Sequence, residues 1–399
     1  MHPAIESASL LLSALWLLVA GCGPSGSVGL REAVDAGDET LVAEAIREMR
    51  GFVATDAEGR ITEISFEPMS ERLDLELVDD DLKQLRRFAE QGGLKQLTSL
   101  DVGFAKSLTS GGMAHVGALT SLRRIRAERA SINNAGLKYL AALPQLESLD
   151  LGVTQVTADG LALLQPLSRL RELRLHVLQI SDESLAALSK LTQLEVLSLL
   201  DTPIDGAGCR HLKSLSALTT LNLNMTELSD EGMERVCELT WLKSLDVGDT
   251  FITTAGTKPL AQLRELTRLG LSRTDIDDPG LASLAELEQL EELDLHQTAI
   301  GSAGVRHLAG LTNLKVLNLD DTIVSDEGLT YLSEMNQLEV LRLWNTQVTD
   351  EGLKSLVGLE KLRELWLWGT QVTPEGMDQI REKIPEIVMD GPTHATSSN

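Results

Sequence analysis

The chain has 399 residues and a formal charge of −25, from 35 basic and 60 acidic side chains, with three cysteines and 3% aromatic residues. So acidic a surface repels phosphate backbones and anionic membrane faces, which excludes nucleic acid as a partner. Three cysteines leave little room for a disulfide framework or a metal site, while 43% apolar content is ample for a core of Leu, Val, Ile and Ala.

In chain order, Leu10 to Ala20 is an apolar run too short to span a bilayer and is followed by small residues, so residues 1–21 read as a cleaved leader. The residues Val19-Ala20-Gly21-Cys22 resemble the lipobox of bacterial lipoproteins, although Met1 to Glu6 lacks the usual Lys or Arg. That resemblance implies that Cys22 carries lipid, becomes the mature N-terminus and holds the protein on a membrane. With Gly23 where an inner-membrane retention signal places Asp, it implies an extracytoplasmic site, at the outer membrane or in the periplasm. Residues 22–28, rich in Gly, Ser and Pro, read as a tether. Residues 29–96 read as an N-terminal cap with an irregular first coil. Asp38 is expected to cap a helix running to about Arg50, with Leu41, Ala45 and Met49 on its apolar stripe and Gly51 as its stop. Ile61, Ile64 and Phe66 alternate as a first strand, and a further helix is expected near Asp80–Glu90.

From residue 97 to 384 about twelve repeats follow, with leucine at 122, 146, 170, 194, 218 and so on every 24 residues to 362. A unit this short cannot bury its apolar face alone, so copies must stack into a solenoid. The segment Leu146-Glu-Ser-Leu149-Asp-Leu151-Gly-Val-Thr154-Gln-Val156 resembles the signature of leucine-rich repeats, and the following half-unit is similar to the 24-residue bacterial variety. The resemblance implies an α/β horseshoe with a parallel sheet on the concave face and short helices on the convex face. It also implies a binding scaffold rather than an enzyme. Threonine recurs at 154, 202, 226, 250 and onward to 370 as an expected internal ladder, broken by Leu178 and never begun at Ala105 or Ala130. Glycine recurs at 112, 136, 160 and onward to 376, with Ser184 as the exception, which implies close approach between coils. Runs such as Ser229-Asp230-Glu231 place a capping hydroxyl and then carboxylates on a helix's first turn, so much of the acidity is helix-end chemistry. Cys209-Arg-His211 has ligand-like spacing, but Cys209 falls at a core position and reads as a buried thiol. Residues 385–390 are expected to close the sheet, and 391–399 to be a disordered tail.

Strand alternation selects the residues that leave the concave face. One column runs from Asp101 through Asn318 and Arg342 to Trp366, and the next from Gly103 through His296, Asp320 and Trp344 to Trp368. Large aromatics where the pattern demands exposure mark a candidate binding patch, comprising His296, Asn318, Asp320, Arg342, Trp344, Trp366 and Trp368. Trp344 and Trp368 fall on neighbouring strands, about 4.8 Å apart along the ladder. Such a patch suits a protein or peptide ligand, or a glycan stacked on the indoles; mutual packing of the tryptophans at the sheet's end is the structural alternative. His176 with Glu128, Arg126, Asp150 and Arg174 forms a second charged group, read as a solvated face. No nucleophile elbow, phosphate loop or cofactor motif is present. The sequence therefore points to a non-enzymatic, lipid-anchored envelope scaffold without cofactor or metal, the alternative being a cytosolic repeat adaptor of ubiquitin-ligase or signalling type.

Overall fold

The computed structural model describes residues 27–66 and 77–391; Cys22, the leader, most of the tether and residues 392–399 lie outside the described residues. In each coil only the Leu-x-Leu segment alternates, so each coil contributes a strand of just three residues. After a hairpin of β1 (Phe52–Thr55) and β2 (Ile61–Ser65) come β3 (Ser99–Asp101), β4 (Arg124–Arg126), β5 (Ser148–Asp150), β6 (Glu172–Arg174) and β7 (Val196–Ser198). The series continues with β8 (Thr220–Asn222), β9 (Ser244–Asp246), β10 (Arg268–Gly270) and β11 (Glu292–Asp294), then β12 (Val316–Asn318), β13 (Val340–Arg342), β14 (Glu364–Trp366) and β15 (Val388–Asp390). They form one 15-stranded sheet in sequential order, antiparallel between β1 and β2 and parallel thereafter. Register follows the repeat: Leu269 lies between Leu245 and Leu293. The motif leucines are buried in one continuous core, and the sheet lines the concave face of an open solenoid. The convex segments are a mixture, α-helical at Asp230–Val236 and the tighter 3₁₀ form at Asp182–Lys190 and Asp278–Glu286.

Three columns tie the coils together. Each ladder threonine donates its hydroxyl to the carbonyl three residues back, as Thr202 does to Leu199 at 2.6 Å and Thr346 to Leu343 at 2.7 Å. The bond satisfies a carbonyl that turns inward from the sheet where water cannot reach. The first-turn aspartates do more than complement a helix end. Asp230, Asp326 and Asp350 each reach forward and accept the backbone N–H of Thr253, Thr349 and Thr373 in the next coil, at 2.7 to 2.8 Å. At three of the recurring glycines the staple fills the space: a Cβ at Gly256, Gly352 or Gly376 would fall on the carboxylate of Asp230, Asp326 or Asp350. Elsewhere the aspartate is not the reason for the glycine: Gly206, Thr254 and Ser302 hold its position before Gly232, Gly280 and Gly328, and Ala158 holds it before Ser184.

At the N-terminus the structure departs from the sequence reading. Residues 27 and 28 are not tether but the start of α1 (Ser27–Ala36). Asp38 caps α2 (Glu39–Glu48), accepting from Thr40 N at 2.8 Å. The apolar stripe of α2 is rotated one residue from the expected one: Leu41 is 42% exposed, while Val42, Ala45 and Ile46 are buried. The rotation lets α2 pack against both α1 and the hairpin rather than against a single coil. The hairpin strand β1 was not expected; Asp56 builds its turn by accepting from the N–H groups of Glu58 and Arg60. The helix at Asp79–Glu90 covers the first coil, and β15 closes the other end on β14.

Candidate functional site

Strand ends shape the concave floor. Past six of the three-residue strands a backbone N–H is captured by an Asx side chain two residues earlier, at the strand's end. Asp101, Asp150, Asn222, Asp246, Asp294 and Asn318 all accept in this way, at 2.8 to 3.1 Å. Asn318, a candidate ligand contact, is thus committed to the N–H of Asp320. The same alternation exposes a third column that sequence reading missed, the first residue of each strand: Glu172, Val196, Thr220, Arg268 and Glu292 among them. It is legible in the repeat, two residues before the first column.

At the C-terminal end four of the seven candidates lock together. Asp320, only 1% exposed, accepts from Arg342 Nε and from the backbone N–H of Trp344, both at 2.7 Å. Burial pushes the Asp320 carboxyl upward, and these two bonds oppose the shift. The Arg342 guanidinium lies 5.3 Å from the Trp344 ring centre and 5.8 Å from that of Trp366. The two indoles meet edge to face, with centroids 5.8 Å apart at 72°. Trp344 Nε1 donates to Asp390 Oδ1 at 3.0 Å, and Trp366 Nε1 to Glu364 Oε2 at 3.3 Å. The expected pairing of Trp344 with Trp368 across neighbouring strands is therefore not formed by the rings: Trp344 turns toward Trp366, drawn by the guanidinium between them and by Asp390. Trp368 is left 59% exposed, free of this aromatic pair. His296, on the same face beyond β11, is half-buried. Its Nδ1 is 3.4 Å from Asp321 Oδ2 but misaligned, so it makes no hydrogen bond.

The charged group around His176 does not form a flat solvated surface. It borders a cavity of about 440 Å³ lined by Arg126, Glu128, Asp150, Arg174, His176 and, from the third column, Val196. Leu200, Ser198, Thr220 and Asn222 complete the walls. The His176 ring lies directly over Gly152, where a Cβ would collide with it, and this lets the ring reach between two carboxylates. Nε2 is 3.6 Å from Glu128 Oε1 and Nδ1 is 3.8 Å from Asp150 Oδ1. Arg126 bridges Glu128 at 2.7 Å and Asp101 at 3.3 Å, while Arg174 binds Glu172 at 2.6 Å. Burial pulls Glu128 upward, but Arg126 and His176 outweigh it and hold its carboxyl below the ordinary value. At Asp150 burial wins and the carboxyl is pushed up.

Cys209 and Cys237 are buried, and desolvation raises both thiols, that of Cys237 to about 12. Among the described residues no group of three or more His, Cys, Asp and Glu is arranged to hold a metal ion, and no helix is long and apolar enough to cross a membrane.

Residues 177–386 match the leucine-rich repeat region family. The chain belongs to the leucine-rich repeat family. No curated protein matches it by sequence. Among solved structures it is similar to an internalin of Listeria monocytogenes, at 20% identity and a TM-score of 0.62 over 93% of this chain and 95% of that one. It also matches a leucine-rich repeat protein of Leptospira interrogans at 17% identity and a TM-score of 0.47, over 88% of this chain and 98% of that one. At such identities the likeness to the internalin is one of fold. Leucine-rich repeat proteins generally serve as binding scaffolds rather than enzymes, and the open concave sheet suits that use.

Proposed function

We propose that this protein is a non-enzymatic scaffold that binds a protein or peptide on its concave face, with Trp368 as the principal anchor at the C-terminal end. The observation that carries the reading is the contrast among neighbouring tryptophans: Trp344 and Trp366 are spent on each other and on Arg342, whereas Trp368 stands 59% exposed. An exposed indole on a rigid sheet loses little conformational freedom on binding and offers a large contact area. Arg342, Trp344, Trp366 and Asp320 then serve as the stiff support that holds the strand beneath it, and Asn318 and His296 lie two and three coils away on the same face. A glycan stacked on Trp368 alone lacks the second free aromatic face that a sugar clamp would use.

The scaffold is held at the cell envelope by lipid on Cys22. That part of the proposal rests on the sequence Val19-Ala20-Gly21-Cys22 and the apolar run before it. Expression of wild type and Cys22→Ala in a bacterial host with labelled palmitate tests it. Label and membrane association are expected in wild type and neither in the variant; a wild-type chain that stays unlabelled removes the anchor from the account. Substituting Trp368 with Ala, followed by pull-down with wild type alongside, tests the binding face.

A further inference from the structure

The cavity beside His176 has an unbalanced charge. Every arginine at its edge is already paired with a carboxylate, Arg126 with Asp101 and Glu128 and Arg174 with Glu172. Asp150 is different. It is 7% exposed, and among the described residues no lysine or arginine lies within 4 Å of it; the nearest cationic candidate is His176 Nδ1 at 3.8 Å. One carboxylate oxygen accepts from Gly152 N at 2.9 Å, and among the described residues none donates a hydrogen bond to the other, while the residue lines the cavity. A desolvated carboxylate with one vacant oxygen is costly to keep charged and gains most from an incoming cationic donor. Val196 and Leu200, which also line the cavity, supply apolar surface suited to the methylene stem of a long charged side chain. The volume, about 440 Å³, lies in the range of small-ligand pockets.

We propose that this cavity is a subsite for a basic side chain, lysine or arginine, of the polypeptide that lies along the concave face, with the cation held by Asp150 and the stem on Val196 and Leu200. The proposal deepens the partner-binding reading and rests on it, but it places Asp150 nine coils, and Leu200 seven coils, away from Trp368.

The test uses a dye-labelled, capped tetralysine peptide titrated into the full chain at about 0.15 M salt, where charges more than about 8 Å apart are screened. Asp150→Asn keeps the bond to Gly152 and removes only the charge. Asp246→Asn is the matched control, since Asp246 makes the same bond to Gly248 at 3.1 Å but lines no part of the cavity. The expected result is a loss of affinity of about tenfold or more in Asp150→Asn, no more than about twofold in Asp246→Asn, and no competition by the fully acetylated peptide. Equal losses in the two variants, no loss in Asp150→Asn, no binding to wild type, or equal binding of the acetylated peptide would each overturn it. Spermidine binding as tightly as tetralysine would overturn the peptide source in favour of a free polyamine. Because tetralysine does not need Trp368, a negative result here leaves the Trp368→Ala experiment standing, and the converse holds.

Discussion

The concave floor has two ends built from the same positions of the repeat and finished in opposite ways. At β13 and β14 the floor is closed: Asp320 meets Arg342, Arg342 lies on Trp344 and Trp366, and both indole N–H groups find carboxylates. Between β4 and β8 it is open, with a cavity and a buried aspartate that among the described residues has no lysine or arginine within 4 Å. The difference teaches that a repeat position does not by itself decide between structure and binding. What decides is whether neighbouring coils supply the complementary group.

Substitution at one position in both regions is the sharpest way to break this comparison. Trp344 and His176 occupy the same place in their coils. Trp344→Ala deletes the edge-to-face pair, the stacked guanidinium and the bond to Asp390, and should destabilise by about 2–4 kcal/mol. His176→Ala removes a ring whose nitrogens lie beyond hydrogen-bond length from both carboxylates, and should cost less than about 1 kcal/mol. Urea midpoints at equal slope measure both. Equal costs would mean that the two ends are built alike.

A smaller effect separates the two buried aspartates. Asp320→Asn weakens a charge-assisted bond to Arg342 and should cost about 2 kcal/mol, whereas Asp150→Asn at neutral pH should fall within about 0.5 kcal/mol of wild type or stabilise. The pH dependence carries the sign. Burial raises the Asp150 carboxyl in the folded state, so the native protein holds that proton to higher pH than the unfolded chain does. Its favourable contribution is therefore complete below the unfolded value, near pH 4, and is lost as pH rises through the folded value. The stability of wild type minus that of Asp150→Asn should fall on going from about pH 4 to pH 7. A difference that stays flat or rises would show that the carboxylate is stabilised in place.

Much of this architecture is legible in the sequence, because a stack of identical coils must repeat its buried residues at the coil length. Leu146, Leu149 and Leu151 announce a core edge, and Thr202 or Thr346 announces an inward hydroxyl. The coupling of Asp230 to Gly256 is not written there, since glycine also follows Gly206, Thr254 and Ser302, and periodicity alone does not say that a side chain fills the glycine's space. The N-terminal cap is less legible: with no repeat to fix its phase, the apolar face of α2 depends on α1 and the hairpin, so Leu41 and Val42 exchange roles. The floor is least legible. Its positions follow from alternation, yet whether Trp344 turns to Trp366 or to Trp368 depends on Arg342 and Asp390, which no local pattern links. The cavity beside His176 likewise depends on the missing Cβ of Gly152 and on the walls at Val196 and Leu200.

A small change in stability is also expected at Trp368, and that residue tests the central claim most directly. The measurement is the affinity of the captured partner for wild type, Trp368→Ala and, as a convex-face control, Glu351→Ala, with thermal midpoints recorded alongside. Trp368→Ala should weaken binding by about tenfold or more while costing less than about 1 kcal/mol of stability, and Glu351→Ala should bind as wild type does. Unchanged affinity in Trp368→Ala, or a comparable loss in Glu351→Ala, would contradict the assignment of the concave face as the binding surface.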